Sequence, residues 1–167
     1  MSESISSWFS GRLPEDWFVS APEVTVDRDE ILVVGSLPTP DRAGNEGADD
    51  EAAAGRIARF REDTRERRMA IAREAEQRFG RKVAWGAACG GQTELFTTLS
   101  VPVMTRLRQP ERRVLDTLVE AGVARSRSHA LAWCVRLVGQ HTDDWLSALR
   151  TAMEEVQRVR EQGPPAA

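Results

Sequence analysis

Leu95-Phe96-Thr97-Thr98-Leu99-Ser100-Val101-Pro102-Val103 is a short strand-like run that leads into two closely spaced helical patterns. The first is Pro110-Glu111-Arg112-Arg113-Val114-Leu115-Asp116-Thr117-Leu118-Val119-Glu120-Ala121-Gly122, and the second runs from Ser126 through Arg127, Ser128, His129 and Ala130 to Val138. One strand and two short helices each carry an apolar face, and together they have too little mass to cover one another. The unit is therefore expected to be stable only when a second copy covers it, which predicts an obligate homodimer. Three pairings are open to the strand: residues 82–88 of its own chain, its twin in the partner, or both on opposite edges.

Working outward, residues 82–103 read as a β-hairpin. Val83, Trp85 and Ala87 alternate on one arm and Leu95, Thr97, Leu99, Val101 and Val103 on the other, and Gly90-Gly91 supplies the turn. Before it, residues 56–79 carry a stripe of Ile57, Phe60, Ile71, Ala75 and Phe79 at helical spacing, predicting one long helix. Arginines and acids of mixed sign surround that stripe, the pattern of a solvated face with i,i+4 pairs. Residues 38–55 are rich in Pro, Gly, Asp, Glu and Ala without apolar period, and read as a flexible acidic linker. Residues 23–37 read as a first hairpin broken at Asp27-Arg28-Asp29. The aromatic pairs Trp8-Phe9 and Trp17-Phe18 either dock on a core or engage a partner protein. A last helix is expected over 143–162, with Thr142 as cap, a stripe of Trp145, Leu149, Met153 and Val156, and Gly163-Pro164-Pro165 as its stop.

The charge is unevenly spread. The whole chain of 167 residues carries −3, but residues 1–54 carry −9 and residues 55–167 carry +6, with Lys82 the only lysine. A basic rear half fits a protein that meets a polyanion, and fits equally an acidic segment folded over a basic one. No run of apolar residues approaches the length of a membrane span. The first residues lack a basic-then-apolar signal pattern, so the expected location is the cytoplasm.

The segment Leu115-Asp116-Thr117-Leu118-Val119-Glu120-Ala121-Gly122-Val123-Ala124-Arg125-Ser126-Arg127-Ser128-His129-Ala130-Leu131 is similar to the stretch between the two helices of ribbon-helix-helix (MetJ/Arc-type) DNA-binding proteins. The resemblance covers roughly residues 95–140. It implies that paired strands of a dimer enter the major groove of double-stranded DNA as a two-stranded ribbon, while the second helix aims its N-terminus at a phosphate. Carried over by position, Ser126, Arg127 and Ser128 would anchor the DNA backbone, with Arg125 adding charge. Thr98 and Ser100, on the face opposite Leu95, Thr97, Leu99, Val101 and Val103, would read base edges. Arg106, Arg108, Arg112 and Arg113 would make phosphate contacts that ignore sequence. The chain departs from the family pattern at Pro102, which lacks a donor, in the long lead-in Met104–Gln109, and at His129, where the family often has a capping acid.

Catalytic patterns are lacking. His129 and His141 are the only histidines, Cys89 and Cys134 show neither disulfide nor metal spacing, and the glycines form no phosphate-binding fingerprint. No cofactor and no metal is expected, and no enzyme activity. The expected fold is α+β: an N-terminal hairpin, long helix and second hairpin over 1–94, a ribbon-helix-helix dimerisation unit over 95–141, and an added helix over 142–163. The expected function is that of a homodimeric DNA-binding transcriptional regulator. The alternative is a dimeric adaptor that uses the ribbon-helix-helix unit only to dimerise and binds a protein through Trp8, Phe9, Trp17 and Phe18.

Overall fold

Ile5, Phe9 and Leu13 follow one another at a spacing of four, so a helix places them on one stripe. That stripe is the buried face of α1 (Ser2–Arg12) and of the turn just past its end. The computed structural model describes residues 2–40 and 46–162. The protein is α+β. It divides into two compact units with the seam between Val103 and Met104.

In the first unit, β1 (Glu23–Val26) and β2 (Glu30–Ser36) form the expected antiparallel hairpin. The Asp27 carboxylate accepts the backbone N–H groups of Glu30 and Asp29 at 2.7 and 2.8 Å, which closes the turn and holds its carboxyl below the usual range. Next come α2 (Glu46–Asp63) and α3 (Arg65–Phe79), the latter ended by Gly80 at φ +68°. The second hairpin, β3 (Lys82–Cys89) and β4 (Gln92–Leu95), turns through Gly90 and Gly91 at φ +58° and +85°. The two hairpins join through a parallel pairing of β2 with β3, in which Val33 faces Trp85, so the sheet runs β1-β2-β3-β4. A parallel pair needs a crossover, and α2 and α3 supply it.

Alternation sends Ile31 and Val33 of β2 and Trp85, Ala87 and Cys89 of β3 to one face. There they meet Ile5 and Phe9 of α1, Ala53 and Ile57 of α2, and Ile71 and Ala75 of α3. The rings of Phe9 and Trp17 stand edge-on to Trp85, at 6.0 and 6.3 Å between centroids.

Three expectations are corrected here. Residues 46–55, part of the expected linker, are helical: Ala52, Ala53 and Ala54 are strong helix formers, and Ala53 is buried in the core although no stripe announces it. Residues 41–45 of that linker lie outside the described residues. The single long helix is two helices that meet at Thr64. Of the two readings of the aromatics, the structure shows docking on the core: Phe9 and Trp17 are buried, and Trp8 and Phe18 are half-buried against them. Finally, the strand that begins at Leu95 in the sequence reading ends there. Leu95 closes β4 opposite Gly86, and Phe96 turns inward to the core, its N–H bonded to the Trp85 carbonyl at 2.7 Å. Residues 96–108 form no strand.

The second unit consists of α4 (Gln109–Glu120), α5 (Arg127–His141) and α6 (Asp143–Gln162), and the expected stop at 163–165 lies outside the described residues. Gly122, at φ +74°, makes the reversal between α4 and α5. No helix among the described residues is long and apolar enough to cross a membrane.

Candidate nucleic-acid interface

Pro110 sits in the first turn of α4, where its missing donor costs nothing, and Val114, Leu115, Leu118 and Val119 recur at helical spacing behind it. Only Leu115 becomes fully buried, together with Ala124 of the turn and Ala130 of α5; Leu107, Leu118, Val119, Leu131 and Cys134 pack partly against them. This is a small core. Val114, Val135 and Val138 stay more than half exposed, and along α6 so do Trp145, Met153, Val156 and Val159.

The start of α5 is built by reciprocal capping. The Ser126 hydroxyl accepts the His129 backbone N–H at 3.2 Å, and the Ser126 carbonyl accepts that of Ala130 at 2.9 Å. His129 Nδ1 accepts the backbone N–H of Arg125 at 3.3 Å, so the imidazole does the reaching back that a capping acid does elsewhere. The N–H groups of Arg127 and Ser128 are left pointing out of the helix end, where the helix dipole is positive.

The Arg127 side chain is engaged. Its guanidinium forks onto Asp116 of α4, Nε to Oδ1 at 2.6 Å and a terminal nitrogen to Oδ2 at 2.8 Å. That bond holds the Asp116 carboxyl below its ordinary range and the Arg127 guanidinium above its own. The structure therefore makes Arg127 a clamp between α4 and α5, where sequence analysis expected a phosphate anchor. Arg112 donates to the Leu107 carbonyl at 2.9 Å and fixes the lead-in to α4. Arg108 is the N-cap of α4 in extended conformation. The side chains of Arg106, Arg108, Arg113 and Arg125 are exposed, with no hydrogen-bond or ion-pair partner among the described residues.

Thr98 and Ser100 are exposed in the irregular stretch after β4 and belong to the first unit. Their neighbours are tied to the sheet: the Thr97 hydroxyl accepts the Trp85 N–H at 3.3 Å, and the Leu99 N–H donates to Glu30 at 3.1 Å. The second unit begins at Met104. From there Leu107 turns toward the helical core while Met104, Arg106 and Arg108 stay exposed. Sequence analysis read residues 95–103 as one alternating strand; the structure ends β4 at Leu95 and leaves residues 97–103 exposed and outside any strand. Pro110 in the first turn is the sequence signal that fixes where α4 begins.

Two family descriptions match the chain. That of the Rv1265-like protein N-terminal domain matches residues 3–95, and that of the Mb1296 C-terminal domain matches residues 108–160. The matches leave out the stretch that contains the seam at Val103. Among relatives, the uncharacterized proteins Rv1265 of Mycobacterium tuberculosis (strain H37Rv) and Mb1296 of Mycobacterium bovis are each 60% identical over 162 residues, which cover 95% of this chain and 70% of the relative. No solved structure matches the chain.

Proposed function

We propose that this chain, which belongs to the Rv1265-like protein family, is a homodimeric DNA-binding protein of the ribbon-helix-helix kind that acts in the cytoplasm as a transcriptional regulator. The observation that carries the reading is the second unit itself. A pair of helices closed by Leu115, Ala124 and Ala130 leaves Val114, Val135 and Val138 in water, and a second copy of the same surface is the occupant a ribbon-helix-helix unit takes.

The ribbon in this reading is residues 103–108, not 95–103. Were residues 103–108 to pair as a strand, alternation would set Arg106 and Arg108 on the side opposite Leu107, which packs on the helical core. When the segment pairs with its twin, four guanidinium groups lie along one face of a two-stranded ribbon. An arginine fork matches the O6 and N7 of guanine, which Thr98 and Ser100 cannot do with single short hydroxyls. Ser126 and the outward N–H groups of Arg127 and Ser128 then receive a phosphate, with Arg112, Arg113 and Arg125 supplying charge. The adaptor reading has less support, because Trp8, Phe9, Trp17 and Phe18 are taken up by the core.

Retention on duplex DNA across a salt series tests the proposal. Phosphate-dominated binding weakens with a slope near −0.9 per phosphate contacted, in units of log affinity against log salt. Arg106→Ala and Arg108→Ala should flatten the preference among sequences, and Thr98→Ala should leave it unchanged. Retention that ignores salt, or that survives both arginine variants unaltered, would remove the assignment.

A further inference from the structure

The junction of α2 and α3 holds a charge that no carboxylate among the described residues balances. Arg68 is only 6% exposed. Its Nε donates to the Thr64 hydroxyl at 2.9 Å and a terminal nitrogen donates to the Arg61 carbonyl at 2.6 Å, both uncharged acceptors. The guanidinium also lies 4.8 Å from the centre of the Phe96 ring. No carboxylate pairs with it among the described residues. Burial pushes its pKa down, and so do the nearby charges of Arg61 and Arg65. Buried arginines are nearly always matched by a counter-charge, because an isolated ion is costly to desolvate.

A cleft of about 420 Å³ opens beside this group, lined among others by Arg61, Arg65, Arg68, Trp85 and Phe96. The Trp85 indole N–H is buried and finds no acceptor among the described residues. The nearest carboxylate on the sheet edge, Glu94, is occupied by Arg61 at 3.0 Å. Arg65 is exposed and has no partner among the described residues. The cleft thus presents the cations Arg61, Arg65 and Arg68 among apolar and aromatic neighbours, with no acidic side chain in its lining.

We propose that this cleft binds a small oxyanion, the phosphate or carboxylate group of a compact ligand, held between Arg65 and Arg68. A guanidinium whose Nε is fixed by Thr64 and whose plane rests on Phe96 is oriented before the ligand arrives, so little freedom is lost on binding. Phosphate and carboxylate share the geometry that an arginine fork recognises. The recess and the depth of Arg68 favour a small ligand over the backbone of duplex DNA, which reaches protruding side chains.

The test follows thermal unfolding of the full chain while sodium chloride is replaced, at fixed ionic strength, by inorganic pyrophosphate in one series and by citrate in another. A ligand that binds only the folded state raises the midpoint progressively once its concentration passes the dissociation constant. The expected result is such a rise with one of the two anions, and the series that responds identifies the phosphate or the carboxylate class. Arg65→Ala should shift the response to roughly tenfold higher concentration or more, the loss expected for one charge-assisted hydrogen bond, with its ligand-free midpoint unchanged. Arg68→Gln, which keeps donors and removes the charge, should abolish the response; if it fails to fold, Arg65→Ala alone decides. A midpoint that follows ionic strength and not the identity of the anion would overturn the proposal. So would an Arg65→Ala variant that titrates like the wild type, or one that loses duplex DNA while its anion response stays intact.

Discussion

Arg127 and Asp116 are joined by two parallel hydrogen bonds of 2.6 and 2.8 Å, so the first residue of α5 is locked to the middle of α4. The pair is the one side-chain ion pair between these helices among the described residues, and in the proposed complex an arriving phosphate would compete for the same guanidinium. A carboxylate at that spot also repels the phosphate. Replacing it by Asp116→Asn should therefore release Arg127 and raise affinity for duplex DNA several-fold, with a salt slope steeper by about one phosphate. Arg127→Ala should lower affinity less than removal of an unpaired arginine such as Arg125. If Asp116→Asn instead weakens binding, the clamp serves to position α5 and its arginine is no contact at all. Fluorescence anisotropy of a labelled duplex at two salt concentrations distinguishes these outcomes.

The same pair makes a statement about acid. Asp116 has its folded pKa depressed, first by the Arg127 hydrogen bond. A depressed carboxyl contributes stability that is fully present above its unfolded value of about 4 and is lost as pH falls through the lower folded value. Unfolding of the second unit should become easier below about pH 4, and the Asp116→Asn variant should lack that part of the acid response. Circular dichroism melts of both proteins between neutral pH and acid read the difference. Equal acid profiles would show that the bridge contributes nothing in solution, as many exposed pairs do.

Gly35 and Phe18 give a sharper test of the first unit. A β-carbon at Gly35 would lie 2.2 Å from the Phe18 ring, far inside contact distance. Gly35→Ala should destabilise the unit by about 2 kcal/mol or more, since the Phe18 ring, in contact with Phe60 and Trp17, must be displaced from its place over the glycine. Phe18→Leu in the same chain should recover part of the loss, a coupling that a double-mutant cycle measures. Simple additivity of the two substitutions would mean that Phe18 does not rest on Gly35.

How much of this was legible in sequence depended on whether the deciding force was local. The first hairpin and the Gly90-Gly91 turn of the second could be read because alternation and a Gly-Gly turn are properties of adjacent residues, while the second arm, read over 95–103, lies at Gln92–Leu95. The parallel pairing of β2 with β3 could not, because a strand with a buried face shows the same period whichever neighbour it takes. The inward turn of Phe96 had no local signal either. It is drawn in by Trp85, Phe60 and Arg68, which come from three other elements, and beyond it no strand continues, so the alternating faces read over 97–103 do not form. At the start of α5 the opposite held. Of the two serines that could cap α5, Ser126 and Ser128, the structure uses Ser126, a local device because capping involves residues three apart. Arg68 was read as one more member of a solvated arginine face, and only the Thr64 junction, which no stripe revealed, brings it inside.

Val135 and Val138 stand 65% and 53% exposed on α5, one turn apart. Their exposure allows the dimer to be tested without damage to the fold of one copy. Val135→Asp and Val138→Asp remove no buried contact in the isolated unit, so helical content should persist. In a dimer each such substitution would bring an unpaired charge into an apolar contact from both copies at once. The lost burial alone amounts to roughly 1.5 kcal/mol or more per side chain, and desolvating the charge adds to it. Sedimentation equilibrium should show wild-type dimer and variant monomer at the same concentration. The variant monomer should also lose DNA, because a two-stranded ribbon requires both copies. A wild-type chain that sediments as a folded monomer at micromolar concentration would contradict the architecture, and a dimer unaffected by either aspartate would place the interface on another surface.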